Sequence, residues 1–256
     1  MNTTENSRGS KRPRTRQTWS PIVELRKYTL HPGTRDVLIE LFDREFVETQ
    51  EAVGMKVIGQ FRDLDDPDCF VWLRGFPDMP TRGRALEAFY GGPVWKKHRD
   101  AANATMIDSD NVLLLHPASG SLLEDSNRPP PGADQIPKGL VVVTIYQLRA
   151  AAEVDFLDFF ERALRPALTK AGASIEASLV TERSANNFPA LPVREGENVL
   201  VSISLFPDHT AYEQHVAALT RSQRWHDELG DALAQRLNGE PEVWKLTPTA
   251  RSQLHA

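Results

Sequence analysis

At 256 residues, 40% of them apolar, the chain can bury one large core or two of about 100 residues each. Its net charge of -5, with no basic stripe interleaved with aromatics, argues against a nucleic-acid partner. The single cysteine, Cys69, excludes an internal disulfide and a thiolate metal cluster. No apolar run reaches about 18 residues and the first 20 residues are polar, which predicts a soluble, cytoplasmic protein without a membrane span.

Residues 1–20 carry Arg8, Lys11, Arg12, Arg14 and Arg16 against Glu5 and read as a disordered basic tail. From Ile22 to Leu30 apolar and polar residues alternate as in a strand, and His31-Pro32-Gly33 turns the chain. Val37, Leu38, Leu41, Phe42 and Phe46 then recur at helical spacing up to Gly54. Strands are predicted at 56–62 and 70–76, followed by a helix from about Arg82 to Tyr90. Gly91-Gly92-Pro93 breaks that helix, and a second helical piece starts with Pro93 in its first turn. A strand at 111–116 completes a βαββαβ unit, 21–117. Residues 118–138, with Pro129-Pro130-Pro131-Gly132, read as a linker, 139–248 as a second unit, and 249–256 as a C-terminal tail.

The second unit repeats the first. Tyr28 and Tyr146, Phe42 and Phe160, and Gly54 and Gly172 are 118 residues apart. Further on the offset is 130: Phe76-Pro77-Asp78 recurs as Phe206-Pro207-Asp208, and Trp95 as Trp225. A duplication with a 12-residue insertion in its second copy, at about Glu182 to Asn198, accounts for both offsets. The fold expected is α+β: tandem ferredoxin-like repeats whose half-covered sheets pair into a barrel within one chain.

Particular residues also carry a resemblance. Glu24-Leu25-Arg26-Lys27-Tyr28-Thr29-Leu30 with Pro32-Gly33 resembles the opening of NIPSNAP-family domains. The stretch from Phe89-Tyr90-Gly91-Gly92-Pro93-Val94-Trp95 through Thr105-Met106, with Asp108, Asp110 and Asn111, is similar to the bacterial branch of that family. So are Asn187-Phe188-Pro189 and Leu191-Pro192-Val193-Arg194-Glu195 in the insertion. The resemblance implies a dimeric α/β-barrel fold. That superfamily hosts cofactor-free monooxygenases, isomerases, cyclases and haem enzymes, while NIPSNAP proteins themselves largely lack an assigned reaction.

Because the chain contains its own control, the copies can be compared. On the first strand Glu24, Arg26 and Tyr28 share a face. Their counterparts are Val142, Thr144 and Tyr146. Trp72 and Arg74 on the third strand correspond to Ser202 and Ser204. On the last helix Trp225, Leu229, Ala232 and Leu233 form an apolar stripe, against Trp95, Arg99, Ala102 and Asn103 in the first copy. Arg99 and Asn103 are therefore expected to face the core, where an unpaired charge is costly. Three readings remain open: a buried salt bridge such as Arg99 or Arg26 with Glu24, a ligand site, or a helix whose register differs between the copies.

Three arginines against one strand carboxylate point to a pocket for an anionic or enolate-like small molecule, with Arg26, Arg74 and Arg99 as anion contacts. Glu24, Trp72 and Trp95 would line it, and Asn187 and Arg194 would reach it from the insertion. In an enzyme, Arg74, Arg99 and Asn103 would stabilise developing negative charge and Tyr28 or His98 would exchange the proton. Against that, Tyr28 and Trp95 recur in both copies, as architectural residues do. The counterpart of His98 is Glu228, which places it on the exposed side of the helix. The seven histidines show no metal-site spacing and no nucleotide or hydrolase motif occurs, so neither metal nor cofactor is predicted. One histidine would suffice for haem, which stays open.

Two functional classes result. The first is an enzyme acting without a cofactor on an enolisable, partly aromatic metabolite, as an oxygenase, isomerase or cyclase. The second is a ligand-binding or adaptor protein, and a haem-binding barrel enzyme is a further alternative. A small-molecule ligand is the expected partner, with neither nucleic acid nor membrane, and a homodimer would form through exposed sheet edges.

Overall fold

The computed structural model describes residues 20–120, 122, 128–149 and 153–256. The basic tail, apart from Ser20, and part of the linker lie outside them. In the first copy the elements are β1 (Ile22–Leu30), α1 (Arg35–Leu41), a π-helical turn (Phe42–Phe46), α2 (Val47–Ala52), β2 (Lys56–Asp63), β3 (Cys69–Phe76), α3 (Met79–Tyr90), α4 (Pro93–Asn103) and β4 (Met106–Gly120). The second copy continues with β5 (Leu140–Gln147), α5 (Glu153–Phe159), a π turn (Phe160–Leu164), α6 (Arg165–Lys170), β6 (Ser174–Thr181), β7 (Val199–Phe206), α7 (His209–Thr220), a π turn (Trp225–Leu229), α8 (Gly230–Ala234) and β8 (Glu242–Pro248).

The repeated residues mark points where the backbone has a specific demand. Phe42 and Phe160 each open a π turn. Gly54 and Gly172 adopt φ of 96° and 112°, the left-handed region that a side chain disfavours. In the Phe-Pro-Asp repeat, Phe76 and Phe206 are buried ends of β3 and β7. Asp78 then accepts from Thr81 N at 2.6 Å and Asp208 from Ala211 N at 2.8 Å, capping α3 and α7. The offset change is located as well: 17 residues join β6 to β7 where five join β2 to β3.

All eight strands form one closed antiparallel barrel in the order β1-β3-β2-β8-β5-β7-β6-β4. Each copy contributes a ferredoxin-like sheet of four strands. The sheets join at two seams, β2 with β8 (Phe61 opposite Pro248) and β4 with β6 (Leu115 opposite Thr181). The edges that the sequence offered to a second copy of the chain are thus paired within it.

Period-two alternation separates the two faces of β1. Val23 and Leu25 point into the barrel with Ile58, Leu73, Val143, Ile203 and Leu246, an interior packed with apolar side chains. Tyr28 and Leu30 point outward, into a second core beneath α1 to α4 that also holds Phe42, Phe46, Trp72 and Phe89. Glu24 and Arg26 share that outward side of β1. The matching layer of the second copy is formed by Tyr146, Phe156, Phe160, Leu164 and Leu168.

Residues 249–256, read from sequence as a tail, are instead mostly buried. Their composition is polar because their burial rests on ion pairs and hydrogen bonds. Arg251, 1% exposed, is bound by Glu48, by the Asp43 carbonyl and by Pro129 O at 2.9 Å. Arg128 from the linker reaches Glu51 at 2.9 Å, Gln253 at 2.7 Å and Arg251 O at 2.7 Å. Linker and C-terminus thereby clamp the β2–β8 seam, which has only three paired positions of its own. No helix of the described residues is long and apolar enough to cross a membrane.

Candidate functional site

Beneath the helices of the first copy, the outward face of β1 and β3 carries a buried charge cluster. Glu24, Arg26 and Arg74 from the strands and Arg82 from α3 have side chains that are 0% exposed. Glu24 is their common acceptor. Its Oε2 takes Arg26 Nη1 and Arg74 Nε, each at 2.7 Å, and its Oε1 takes Arg82 Nε at 2.6 Å. Burial alone would push the Glu24 carboxyl up, but Arg74, Arg26 and Arg82 hold it well below the usual carboxylate range. One carboxylate facing three guanidinium groups leaves two positive charges in excess.

Further partners take up part of that surplus. Arg74 Nη1 reaches Gln50 Oε1 at 3.2 Å. Arg82 Nη1 bonds Asn186 Oδ1 at 3.0 Å and Asn187 Oδ1 at 2.7 Å, both on the loop inserted into the second copy. Arg26 Nε donates to the Tyr28 hydroxyl at 3.0 Å. Three donors remain buried without a protein acceptor: Arg26 Nη2, Arg82 Nη2 and Trp72 Nε1. The Arg26 guanidinium lies 5.5 Å from the Tyr28 ring centre and 5.6 Å from that of Trp72.

Above Tyr28, Trp72 and Gln50 is a cavity of about 30 Å³. Its walls are Leu38, Phe42, Phe46, Phe89, Tyr90, Trp95, Ala102 and Met106, so the helices and the start of β4 close it with aromatic and apolar side chains. Trp95 packs 4.8 Å from the Tyr90 ring centre and 5.5 Å from that of Phe46. Burial raises the Tyr28 phenol, and Arg26, although it opposes this, does not reverse it. Tyr28 is therefore protonated at neutral pH. Because its oxygen already accepts from Arg26, its own proton is available to an oxygen in the cavity.

Of the residues singled out in the sequence, Glu24, Arg26, Tyr28, Trp72, Arg74 and Trp95 come together here. Asn187 joins them through Arg82. Arg99 and Asn103 do not: both lie on the exposed face of α4, and the Arg99 side chain is 57% exposed beside Asp100 at 3.2 Å. The reason is a difference in helix register. The second copy places a π turn at Trp225–Leu229, whose extra residue rotates the rest of that helix, whereas α4 is regular. Leu233 consequently matches the buried Ala102 and Leu229 the half-buried His98. His98 is thus not on the solvent side; its Nε2 lies 3.5 Å from Glu45 and its ring packs against Phe46, outside the cavity walls. Arg194 also lies elsewhere, on Glu197 at 2.9 Å and Asn111 at 3.3 Å.

Arg82 and Gln50 were missed, although the repeat contains the signal for them: their counterparts are Tyr212 and Leu168. Among the described residues no group of three or more His, Cys, Asp and Glu side chains is placed to hold a metal ion.

Comparison with known proteins bears on the fold and on the first copy of the repeat. Residues 23–122 match the NIPSNAP family model, a span that contains Glu24, Arg26, Gln50, Trp72, Arg74 and Arg82. No curated protein matches the chain. A candidate monooxygenase from Fusobacterium nucleatum superposes with a TM-score of 0.59 at 10% identity, over 91% of this chain and 94% of that one. An anthrone oxidase-like protein gives 0.56 at 17% identity, over 92% and 95%. A candidate monooxygenase from Lactobacillus acidophilus gives 0.53 at 13% identity, over 90% and 94%. At such identities these likenesses establish the whole two-copy barrel as a shared fold. The first copy of the repeat, with the charge cluster and the cavity, is the part of the chain that matches the NIPSNAP family model, over residues 23–122.

Proposed function

We propose that the first copy binds a small anionic or enolisable aromatic metabolite between its sheet and its helices and stabilises negative charge on it. The observation that carries this reading is the set of buried donors without acceptors. Arg26 Nη2 and Trp72 Nε1 belong to a cluster with two excess positive charges, next to a cavity walled by aromatic rings. Leaving buried donors unpaired is costly, and an anionic oxygen offsets that cost where a neutral one does so weakly.

The chemistry this arrangement favours is enolate stabilisation. For a ligand that binds already ionised, Tyr28 donates a hydrogen bond to the enolate oxygen while keeping its proton, Arg26 stabilises the charge behind Tyr28, and the aromatic walls exclude water and stack on the ring. A cofactor-free oxygenation or isomerisation uses such an electron-rich enolate. Anthrone, the compound class named for one structural relative, has an enol of this type, which is an analogy of fold and no more. Binding without turnover would make the protein a ligand carrier.

The test is titration of the protein with 1-hydroxy-2-naphthoate, with neutral 1-naphthol as the comparison, and then incubation with anthrone under oxygen. Tight binding of the anion, with weaker binding of the neutral compound, is expected. Equal affinity for the two, or none for either, defeats the reading. Oxygen uptake with anthrone separates enzyme from carrier.

A further inference from the structure

The cavity, at about 30 Å³, is far smaller than the roughly 300 Å³ at which pockets for drug-sized molecules begin. If it takes an aromatic ligand, one wall has to move. We infer that the loop inserted into the second copy, residues 182–198, is the gate of the site in the first copy, and that it opens by releasing Asn187 from Arg82 and Phe188 from Tyr90. This rests on the ligand site proposed above.

Four observations carry it. The loop touches the site at its tip: Asn186 and Asn187 hold Arg82, and Phe188 stacks on the cavity-wall ring of Tyr90, 5.8 Å between centres at 26°. Asn187 Nδ2 also donates to Met79 O at 2.5 Å, so the tip is latched to both ends of α3. The two ends of the loop are fixed to β4 instead, Glu182 N to Leu114 O and Arg194 N to Val112 O, each at 2.9 Å. Between those anchors the segment has no helix or strand. Finally, a cavity of about 340 Å³ lies between the loop and β4, walled by Leu113, Leu114, Ala185, Asn186, Val193 and Arg194. That is room into which the tip can fold. The loop does not itself line the cavity but covers one of its walls: Trp72, Phe42 and Phe89 are buried, whereas Tyr90, on which Phe188 stacks, is half-buried and is the wall that release of the loop frees to move.

Opening also selects for charge. The latch consists of two neutral amide oxygens on Arg82, whose Nη2 is otherwise without a protein acceptor. An anionic ligand competes for that guanidinium better than an amide does, so it stabilises the open state in which it enters.

A lock tests the gate. A Cβ on Gly83 would lie 3.4 Å from Asn187 Cγ, close enough for Gly83→Cys with Asn187→Cys to form a disulfide. With the full chain and 1-hydroxy-2-naphthoate as the probe, stopped-flow association is expected to be slower by more than about tenfold in the oxidised double variant, the factor that corresponds to about 1.4 kcal/mol of barrier. Dithiothreitol should restore it. Equal rates before and after reduction, with the disulfide confirmed by mass, overturn the gate. Where neither wild type nor the reduced variant binds the probe, the ligand reading fails, and amide exchange decides the gate separately. Exchange at 182–198 by local opening, well below the global unfolding free energy in the reduced form and suppressed on oxidation, supports it. Exchange only through global unfolding in both forms overturns it.

Discussion

Replacing Glu24 with Gln tests whether one carboxylate holds the charge cluster together. Glu24 is fully buried and accepts from Arg26, Arg74 and Arg82 at 2.6 to 2.7 Å. The amide keeps the shape but removes the charge, leaving three buried guanidinium groups with no counter-ion. Breaking a single buried pair costs about 3–5 kcal/mol. At about 2–4 °C per kcal/mol for a protein of this size, the midpoint should fall by about 6–20 °C. The pH dependence supplies a second signature. The folded-state pKa of Glu24 lies below its ordinary value of 4.5, so its stabilisation is complete above that pH and is lost as pH falls below it. Thermal and urea unfolding of wild type and Glu24→Gln between pH 3 and pH 7 should show a large gap at neutral pH that narrows in acid. A loss below about 1 kcal/mol, or a gap that does not change with pH, would refute the account of the cluster.

Three further outcomes are expected from the same geometry. Arg99→Leu and Asn103→Leu, at exposed positions of α4, should leave stability within about 0.5 kcal/mol of wild type and leave probe binding unchanged by titration. Asp43, which accepts from Gln60 at 2.9 Å, has its carboxyl pushed up to about 6 by burial against the opposing Arg251. Its folded pKa exceeds the ordinary 3.8, so its contribution is present at low pH and declines as pH rises toward about 6. Asp43→Asn should remove that decline from the stability profile, the opposite sign to Glu24. Arg251→Ala, which frees the C-terminal clamp from Glu48, Asp43 O and Pro129 O, should cost about 1–3 kcal/mol in urea unfolding because a side chain only 1% exposed is removed together with its bonds to the partly buried Asp43 O and Pro129 O.

The architecture was legible because the duplication left paired marks at sites of local necessity: a left-handed glycine, a capping aspartate, a phenylalanine opening a π turn. Strand residues of the site were legible for a similar reason. A strand presents alternate residues to one face, so Glu24, Arg26 and Tyr28 could be compared with Val142, Thr144 and Tyr146 without knowing more. Helices are less forgiving. One extra residue in the π turn at Trp225–Leu229 rotates the helix face beyond it, and the offset of 130 then pairs Leu229 with Arg99 when the packing pairs it with His98. Arg82 and Gln50 were legible in principle, since Tyr212 and Leu168 stand opposite them, but both lie on helices, where a polar residue also reads as part of a solvated face. The last eight residues could not be placed by periodicity, because charges rather than an apolar stripe hold Arg251 and Gln253 in the interior.

Probe affinity in two matched tyrosine variants tests most directly whether the site belongs to the first copy alone. Tyr28 and Tyr146 occupy the same place in the repeat, but only Tyr28 stands beside Arg26 and a donor without an acceptor. Calorimetric titration with 1-hydroxy-2-naphthoate should show Tyr28→Phe weakened by about 10- to 100-fold, the loss of a hydrogen bond to a charged group, while Tyr146→Phe binds as wild type does. Equal weakening in the two variants, or full affinity in Tyr28→Phe, would contradict the assignment of the site to the first copy.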